Sequence, residues 1–353
     1  MTMIIPTRYS LTGTSTDGGM GDIHTCLDTH LNRYVVLKML KDGEDSRRLL
    51  DEQKALIKLR SKHVVQLFDV IKVQKDSISK TALVLEHIDG NDLEIASMIT
   101  GAGYLKTLWQ VACGLADIHH SGVIHRDIKP NNIRLNADGV IKILDFGLSR
   151  NSGLEAHTRS IIGTPGYMAP ELWKSATVSF DQTIDVYAFG VMALSLISAK
   201  IPVQLCERPP QPLPSGALTV FFSDLPVDVI AIIESCLSGD PAQRPSMEKV
   251  ESVLRCHLLY NRHRALLVLG GKTHEINAAN PTVNVKSGDI GAIGINYNGL
   301  RFSVSSFSGS VFVNNTAINI GDVLPGCCVI AFGPRDRSRS FVTFDVSNPE
   351  VMP

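Results

Sequence analysis

Residues 125–132 read His-Arg-Asp-Ile-Lys-Pro-Asn-Asn, and residues 145–147 read Asp-Phe-Gly, thirteen positions after the last residue of that run. The first motif places a carboxylate, Asp127, and an ammonium, Lys129, on one short segment. Asp127 would accept or orient a substrate hydroxyl, and Lys129 would neutralise a moving phosphoryl group. Phosphoryl transfer depends mostly on positioning and charge neutralisation, so this segment predicts a phosphoryl-transfer site.

The two motifs also supply the side chains that would hold a metal ion. Asn132 closes the first motif with an amide, and Asp145 opens the second with a carboxylate. In this arrangement both would bind the metal that accompanies a nucleoside triphosphate. The sequence therefore predicts ATP and Mg²⁺ as cofactors, with Mn²⁺ as an alternative metal.

Length and composition indicate a globular chain of two domains. The chain has 353 residues, of which 44% are hydrophobic and 20% charged, and its formal net charge is −1. This balance gives no reason to expect nucleic-acid or membrane partners. The seven cysteines are odd in number and form no Cys-x-x-Cys pair, which is typical of free thiols in a reducing cytoplasm. The N-terminus has no basic region followed by an apolar stretch, so we expect a cytoplasmic protein without a signal peptide.

Periodicity divides the chain into three regions. Strand-like runs alternate with turns up to about residue 90, with a helical recurrence of leucines over residues 46–59. Residues 91–258 are mainly helical by the same criterion, and the apolar stretch 186–199 is too short to span a bilayer, so it predicts a buried helix. From residue 265 onward, short β-branched runs alternate with Gly, Asn and Ser, which predicts a β-sandwich over residues 263–353.

Residues 8–258 resemble the eukaryotic-like (Hanks-type) serine/threonine protein kinases. Residues 163–171, Gly-Thr-Pro-Gly-Tyr-Met-Ala-Pro-Glu, resemble the end of the activation segment in its serine/threonine form, and Lys129 points to the same class. The resemblance implies an α+β, bilobal protein kinase fold that binds ATP between an N-lobe of residues 8–88 and a C-lobe of residues 89–258.

The resemblance also implies the residues around the nucleotide. Lys38 matches the strand lysine that grips the α- and β-phosphates, and Glu52 matches its ion-pair partner, with Asp51 as the alternative. Thr16 replaces the first glycine of the family's glycine-rich loop. The implied nucleotide contacts are Thr16, Gly18, Gly19, Met20, Gly21, Ile23, Val36, Lys38, Leu85, Glu86, Ile88 and Arg134.

Several charged residues have other implied roles. Arg134 stands where the family usually has an apolar residue beneath the adenine ring, and we expect its guanidinium to stack on the base or to turn toward solvent. Arg244 matches the buried partner of Glu171, and Asp185 matches the helix carboxylate that anchors the catalytic loop. The residues implied to be structural are Arg126, Asp185, Glu171 and Arg244.

The resemblance also implies regulation by phosphorylation. Arg126 directly precedes Asp127, and in the family this pair usually accompanies control by activation-loop phosphorylation. A phosphate on Thr158 could pair with Arg126 and order the segment. Ser160 and Ser152 are alternative sites.

Residues 263–353 resemble a forkhead-associated (FHA) domain, a β-sandwich that in its family binds phosphothreonine peptides. The resemblance rests on Val-Phe-Val-Asn-Asn at 311–315 and the Gly-Asp-Val-Leu turn at 321–324. The residues that grip phosphate are mostly replaced: Gly-Lys stands at 271–272 for Gly-Arg, and Ser-Gly-Ser at 308–310 for Asn-Gly-Thr. An interaction or autoregulatory module is therefore favoured over a phosphothreonine-binding one.

The sequence thus predicts a serine/threonine protein kinase that acts on protein substrates, phosphorylates its own activation loop and is opposed by a phosphatase. Phosphoproteins or other proteins would bind the C-terminal module. Three alternatives remain. The first is a pseudokinase, suggested by Thr16, Val36 and Arg134, which depart from the residues usual in the family. The others are a small-molecule kinase of the aminoglycoside type and a phosphopeptide-binding adaptor. The retention of Lys38 and Asp127, with both predicted metal ligands, favours an active enzyme.

Overall fold

A computed structural model describes residues 3–17, 21–40, 46–75, 78–151, 157–158, 164–173, 178–179, 181–347, 349 and 351. The fold divides into two compact units, a kinase-like unit of Met1–Leu254 and a C-terminal unit of Arg255–Met352. Among the described residues, no helix combines the length and the apolar character that crossing a membrane requires.

The first part of the kinase-like unit is a six-stranded antiparallel sheet with one helix. Strand alternation explains its two faces, because side chains of even and odd positions point to opposite sides. One face carries the buried side chains of Val35 and Leu37, which pack with Tyr9, Cys26 and Val84. The elements are β1 (Met3–Ile4), β2 (Tyr9–Asp17), β3 (Gly21–Asp28), β4 (Arg33–Leu40), α1 (Ser46–Lys58), β5 (Leu67–Lys75) and β6 (Ile78–Glu86), with the strands in the order β1-β5-β6-β4-β3-β2.

The second part of this unit is mainly helical. The helices are α2 (Ala102–His120), α3 (Thr183–Ile197), α4 (Val203–Cys206), α5 (Val227–Cys236) and α6 (Met247–Leu258). Helix α3 is buried all round from Ile184 to Leu196, which confirms the buried helix predicted over residues 186–199. Gly190 allows α5 to approach, because a Cβ there would lie 2.9 Å from the side chain of Leu237.

Residues 91–258 are less uniformly helical than the sequence predicted. Short apolar runs cannot be assigned to helix or strand by periodicity alone, and several of them form strands that frame the predicted catalytic segments. These strands are β7 (Gly90–Asp92), β8 (Val123–Ile124), β9 (Ile133–Asn136), β10 (Ile141–Ile143), β11 (Arg150–Asn151), β12 (His157–Thr158) and β13 (Val178–Ser179).

Strand β7 crosses β9 at a glycine that the geometry requires. Gly90 has a φ of +157°, and a Cβ there would lie 2.0 Å from the carbonyl oxygen of Leu135. Only glycine can therefore occupy this position of the pairing without displacing β9.

The C-terminal unit consists of two antiparallel sheets around one apolar core. The larger sheet has the order β15-β14-β22-β21-β19-β20, and the smaller has the order β16-β17-β18. Core residues such as Leu267, Ile330 and Phe344 occupy alternate strand positions. The strands are β14 (Arg264–Leu269), β15 (Lys272–Ile276), β16 (Thr282–Ser287), β17 (Gly291–Tyr297), β18 (Phe302–Gly309), β19 (Val311–Val313), β20 (Thr316–Ala317), β21 (Cys327–Phe332) and β22 (Ser340–Ser347).

A neutral histidine is buried between the two parts of the kinase-like unit. His63 is 2% exposed, its Nδ1 lies 3.1 Å from the carbonyl oxygen of Ile141, and its Nε2 has no hydrogen-bond partner among the described residues. Gly114 packs against it so closely that a Cβ there would lie 3.0 Å from the His63 Cβ. Burial lowers the pKa of His63 to about 4.

This histidine predicts a loss of stability in acid. Between its ordinary pKa and about 4, His63 takes up a proton in the unfolded chain but not in the folded one, so stability falls as the pH falls through this range. Going from about pH 7 to about pH 4.5, we expect wild type to lose about 2–3 kcal/mol more than His63→Gln. Urea unfolding followed by tryptophan fluorescence tests this, because Trp109 and Trp173, the chain's two tryptophans, both lie in the kinase-like unit. Equal acid losses in the two proteins would contradict it.

Candidate active site

Lys38 joins two carboxylates that come from distant parts of the chain. Its Nζ lies 2.8 Å from Glu52 Oε1 on α1 and 2.8 Å from Asp145 Oδ1. Lys38 is 9% exposed and Glu52 1%, so this ion pair is almost fully withdrawn from water. Of the two carboxylates proposed from the sequence as partners of Lys38, Glu52 is thus the one in contact.

The neighbouring charges set the protonation state of Lys38. Burial by itself would lower the pKa of Lys38, but the attraction of Glu52 and Asp145 outweighs burial and raises that pKa above its ordinary value. Asp145 is also desolvated, yet the ammonium of Lys38 holds the pKa of its carboxyl below the ordinary value. Lys38 is therefore a cation at neutral pH and is able to contact phosphate oxygens.

Strand alternation gathers the predicted nucleotide contacts on one face of the sheet. Ile23 lies opposite Lys38, and Val36, two residues before Lys38, lies opposite Leu85. Directly paired residues share a face, so the side chains of Ile23, Val36 and Leu85 point to the same side as Lys38, away from the core face. Ile88 follows β6 and is buried.

The glycine-rich segment is only partly described. The backbone of Thr16 lies in β2 and pairs with Ile23, and Gly21 begins β3. The predicted contacts Gly18, Gly19 and Met20 lie outside the described residues.

Four side chains converge at the predicted catalytic loop. Lys129 Nζ lies 2.8 Å from Asp127 Oδ2, and Asn132 Nδ2 donates to the same oxygen at 2.9 Å. The hydroxyl of Thr164 donates to Asp127 Oδ1 at 2.8 Å and accepts from Lys129 Nζ at 2.8 Å. Asp127 thus accepts a hydrogen bond from a hydroxyl group and lies beside an ammonium group. This arrangement can orient a nucleophilic hydroxyl and neutralise the charge that develops on its oxygen.

The sequence reasoning did not assign a role to Thr164. Its only signal is position: it lies seven residues before Glu171, within the segment that resembles the end of an activation segment. The contact with Asp127 joins residues 37 positions apart, which local patterns do not reveal.

The predicted metal ligands lie side by side. The amide N–H of Leu144 donates to the Asn132 carbonyl at 2.8 Å, which fixes Asp145 next to Asn132. Because Asn132 uses its side-chain nitrogen on Asp127, its side-chain oxygen is the atom left for a cation. Among the described residues, no group of three or more His, Cys, Asp or Glu could hold a metal. Two oxygen donors fit a hard divalent cation that takes its other ligands from water and substrate phosphates.

A buried carboxylate holds the catalytic loop from behind. Asp185, which is 1% exposed, accepts the backbone N–H groups of His125 and Arg126, each at 2.8 Å. Its Oδ2 also lies 3.0 Å from His119 Nε2 on α2. Burial would raise the pKa of Asp185, but the contact with His119 and the loop N–H groups lower it, so the carboxylate stays ionised.

Arg244 and Glu171 form a bidentate ion pair. The two guanidinium nitrogens lie 2.7 and 2.8 Å from the two carboxylate oxygens, and the Arg244 side chain is fully buried. The pair ties the end of the activation segment to the segment before α6, and neither side chain reaches Asp127 or its partners through a hydrogen bond among the described residues.

Residues 86–88, which follow from the end of β6 and which we call the hinge, contain an ion pair that the sequence did not predict. The carboxylate of Glu86, an implied nucleotide contact, lies 2.9 Å from Nζ of Lys142, a side chain 8% exposed on β10. The same carboxylate accepts the backbone N–H of Gln66 at 3.1 Å. Lys142 precedes Asp145 by three residues, so Glu86 connects the hinge with the strand that leads to the metal ligand.

Arg134 is paired rather than free. Its Nε lies 2.7 Å from Asp92 Oδ1, directly opposite on β7, and both side chains are about one-third exposed. Two placements were expected for the Arg134 guanidinium, stacking on a base and turning toward solvent. The contact with Asp92 is compatible with both.

Arg126 adopts a left-handed backbone conformation, with φ of +74°, and is 7% exposed. The backbone of Thr158 lies in β12 and pairs with Val178. The other proposed phosphorylation sites, Ser160 and Ser152, lie outside the described residues.

Comparison with known proteins agrees with this geometry. The protein kinase domain family model matches residues 11–253. The probable serine/threonine-protein kinase PknB of Corynebacterium glutamicum is 30% identical over 267 residues, covering 69% of this chain and 41% of that protein. The serine/threonine-protein kinase PknA of Mycobacterium tuberculosis is 31% identical over 259 residues, covering 67% of this chain and 58% of that protein. This chain thus covers less than two thirds of either relative.

The family model ends before the C-terminal unit begins, so the match concerns the kinase-like unit alone. Within that unit it confirms the resemblance drawn from the two motifs of residues 125–132 and 145–147. The family couples ATP and a divalent metal to phosphoryl transfer. The chain belongs to the protein kinase family.

Proposed function

We propose that this chain is an active serine/threonine protein kinase that transfers the γ-phosphate of Mg·ATP to hydroxyl groups of protein substrates. One observation carries the proposal: Asp127 is held by an ammonium, an amide and a hydroxyl at 2.8–2.9 Å, while Lys38 is held charged between two carboxylates. Pseudokinases have no need to keep both arrangements intact, and here both are complete.

The proposed reaction divides the work among these side chains. Asp127 accepts the hydrogen bond of the incoming hydroxyl and takes up its proton, and Lys129 stays beside the oxygen on which charge develops. Lys38 orients the α- and β-phosphates. Asn132 and Asp145 hold Mg²⁺, which supplies charge neutralisation to the phosphates when bound.

The proposal includes regulation by autophosphorylation. Phosphate on Thr158, or on Ser160, would pair with Arg126 and order the activation segment, and a phosphatase would reverse this. Such control fits a signalling enzyme, and the cytoplasm remains its predicted location.

The test is intact mass and phosphosite mapping of the full chain after incubation with Mg·ATP. Asp127→Asn is the catalytic variant, and Asp138→Asn, an exposed carboxylate on the same lobe, is the matched control. We expect wild type and Asp138→Asn to gain phosphate on Thr158 or a neighbouring residue, and Asp127→Asn to gain none. ATP binding without phosphate transfer, to itself or to a generic basic protein, would contradict the proposal and favour the pseudokinase alternative.

For the C-terminal unit we propose an interaction module with an FHA-like sandwich. Support comes from the two antiparallel sheets over one core and from the motifs at residues 311–315 and 321–324. The module would recruit protein partners or restrain the kinase. The replaced phosphate-binding motifs weigh against a phosphothreonine ligand, as the sequence indicates.

A further inference from the structure

The outer face of the larger C-terminal sheet carries an exposed apolar band. Phe312, Ala331 and Phe341 lie directly opposite one another on β19, β21 and β22, so their side chains share a face. The next row of the same face contains Val329, Thr343 and Val268. Phe341 is 58% exposed and the two valines are each 42% exposed, whereas Ala331 in the middle of the first row is 2% exposed. In a sheet with one core face, the outer face is usually polar, so this band marks a surface that contacts a partner.

Arginines border this band at the turn between β21 and β22. The Cζ atoms of Arg335 and Arg339 lie 5.8 and 4.6 Å from the centroid of the Phe312 ring. Both guanidinium groups also reach Asn315, Arg335 to its carbonyl at 2.5 Å and Arg339 to its side-chain oxygen at 3.1 Å. We call Phe312, Phe341 and these two arginines the arginine–phenylalanine face.

The two arginines of this face form no ion pair within the described part of the chain. The exposed Asp336 lies between them in sequence, but neither arginine lies within ion-pair distance of a carboxylate there. Arg339 Nη2 is buried without a hydrogen-bond partner among the same residues. Two guanidinium groups on one ring repel each other, so an anion that binds both relieves the repulsion. Guanidinium edges match carboxylates in a bidentate geometry.

We propose that the arginine–phenylalanine face binds an extended acidic segment of a partner protein, whose carboxylates pair with Arg335 and Arg339 and whose apolar side chains pack on Phe341. Both guanidinium groups approach the same Phe312 ring, so carboxylates spaced along one extended segment can reach the two of them. The chain's net charge is −1, so the face is a local feature and not part of a general basic surface of the kind that binds nucleic acid. The inference extends the interaction role proposed for this unit and does not depend on phosphoryl transfer.

The test measures binding of a labelled synthetic decapeptide, in which glutamates alternate with valine and phenylalanine, to the full chain without ATP. We expect Arg335→Gln/Arg339→Gln to weaken binding about ten-fold, because the two exposed ion pairs that are lost together contribute roughly the binding free energy of a ten-fold change in affinity. The matched control Lys286→Gln/Arg301→Gln removes two exposed charges of the same unit, one on β16 and one just before β18, and should change the affinity less than about two-fold.

Phe341→Gln keeps the test independent of any folding defect in the arginine variant, because this side chain is mostly exposed. It should weaken binding about three-fold or more, through the lost apolar contact. Raised salt should weaken wild-type binding as well. No binding of the decapeptide, or equal losses in the arginine variant and its control, would overturn the proposal. Two further results would also overturn it. One is a peptide with glutamine in place of glutamate that binds only when it carries a phosphoserine, and the other is tighter binding of a single-stranded RNA oligonucleotide than of the decapeptide.

Discussion

Replacing Lys38 with methionine is expected to lower the free energy of unfolding of the kinase-like unit by about 3–5 kcal/mol. The same substitution should lower kcat about 10²–10³-fold. The large stability effect follows from burial: Glu52 is 1% exposed and would lose its ammonium partner, while Asp145 remains nearby as a second carboxylate. Removing one member of a buried pair leaves an uncompensated charge, which costs more than the pair itself contributed.

A second substitution separates the two effects. Lys38→Met/Glu52→Gln removes the stranded charge, so we expect it to recover most of the lost stability and none of the lost activity. The gap between the single and double variants should narrow as the pH falls, because burial raises the pKa of Glu52 and protonation then neutralises the unpaired group. Urea unfolding by tryptophan fluorescence and steady-state kinetics measure the two quantities. If Lys38→Met were as stable as wild type, the buried carboxylate of Glu52 would not depend on the ion pair with Lys38.

The second large effect is expected at Asp185, which touches no reacting atom. Asp185→Ala leaves the backbone N–H groups of His125 and Arg126 without their acceptor, at a cost of about 1–3 kcal/mol for each buried donor. Arg126 would also lose the contact that holds its left-handed backbone conformation. Since Asp127 follows directly, its displacement should lower kcat about a hundred-fold.

Hydrogen exchange distinguishes this positioning role from a general loss of stability. The amides of His125 and Arg126 should exchange much faster in Asp185→Ala, while amides of β4 and β6 stay protected. Asp185→Asn keeps one carbonyl acceptor and should lie between wild type and the alanine variant. Asp138→Ala, on the surface of the same lobe, is the control. Unchanged exchange at His125 and Arg126 would refute the role assigned to Asp185.

Local periodicity was sufficient for much of the framework. A period of two in β4 predicts that Val36 and Lys38 share a face, and continuous apolarity over residues 186–199 predicts a helix buried on all sides. The strand-rich character of the C-terminal unit follows in the same way. These features depend on residues close in sequence, which is why the pattern reveals them.

Contacts between distant residues were less accessible. The pair of Glu86 and Lys142 joins residues 56 positions apart, and Asp92 meets Arg134 across 42 positions. A charged residue on a predicted strand is expected to face solvent. Asp92 meets Arg134 because β7 pairs with β9, and Glu86 meets Lys142 because β10 of the same small sheet lies near the end of β6. The short strands of residues 90–179 were missed because runs of two to four residues carry too little periodicity.

Asp127 has both carboxylate oxygens occupied in the free chain, Oδ1 by the Thr164 hydroxyl and Oδ2 by Lys129 and Asn132. An incoming hydroxyl that takes the place of the Thr164 hydroxyl at Oδ1 forms a hydrogen bond of the same kind. Exchange of like for like changes the free energy of binding little, so the acceptor hydroxyl contributes almost nothing to ground-state affinity. Selection among acceptors must then come from surfaces outside the catalytic loop, and the interaction with Asp127 is kept for the transition state.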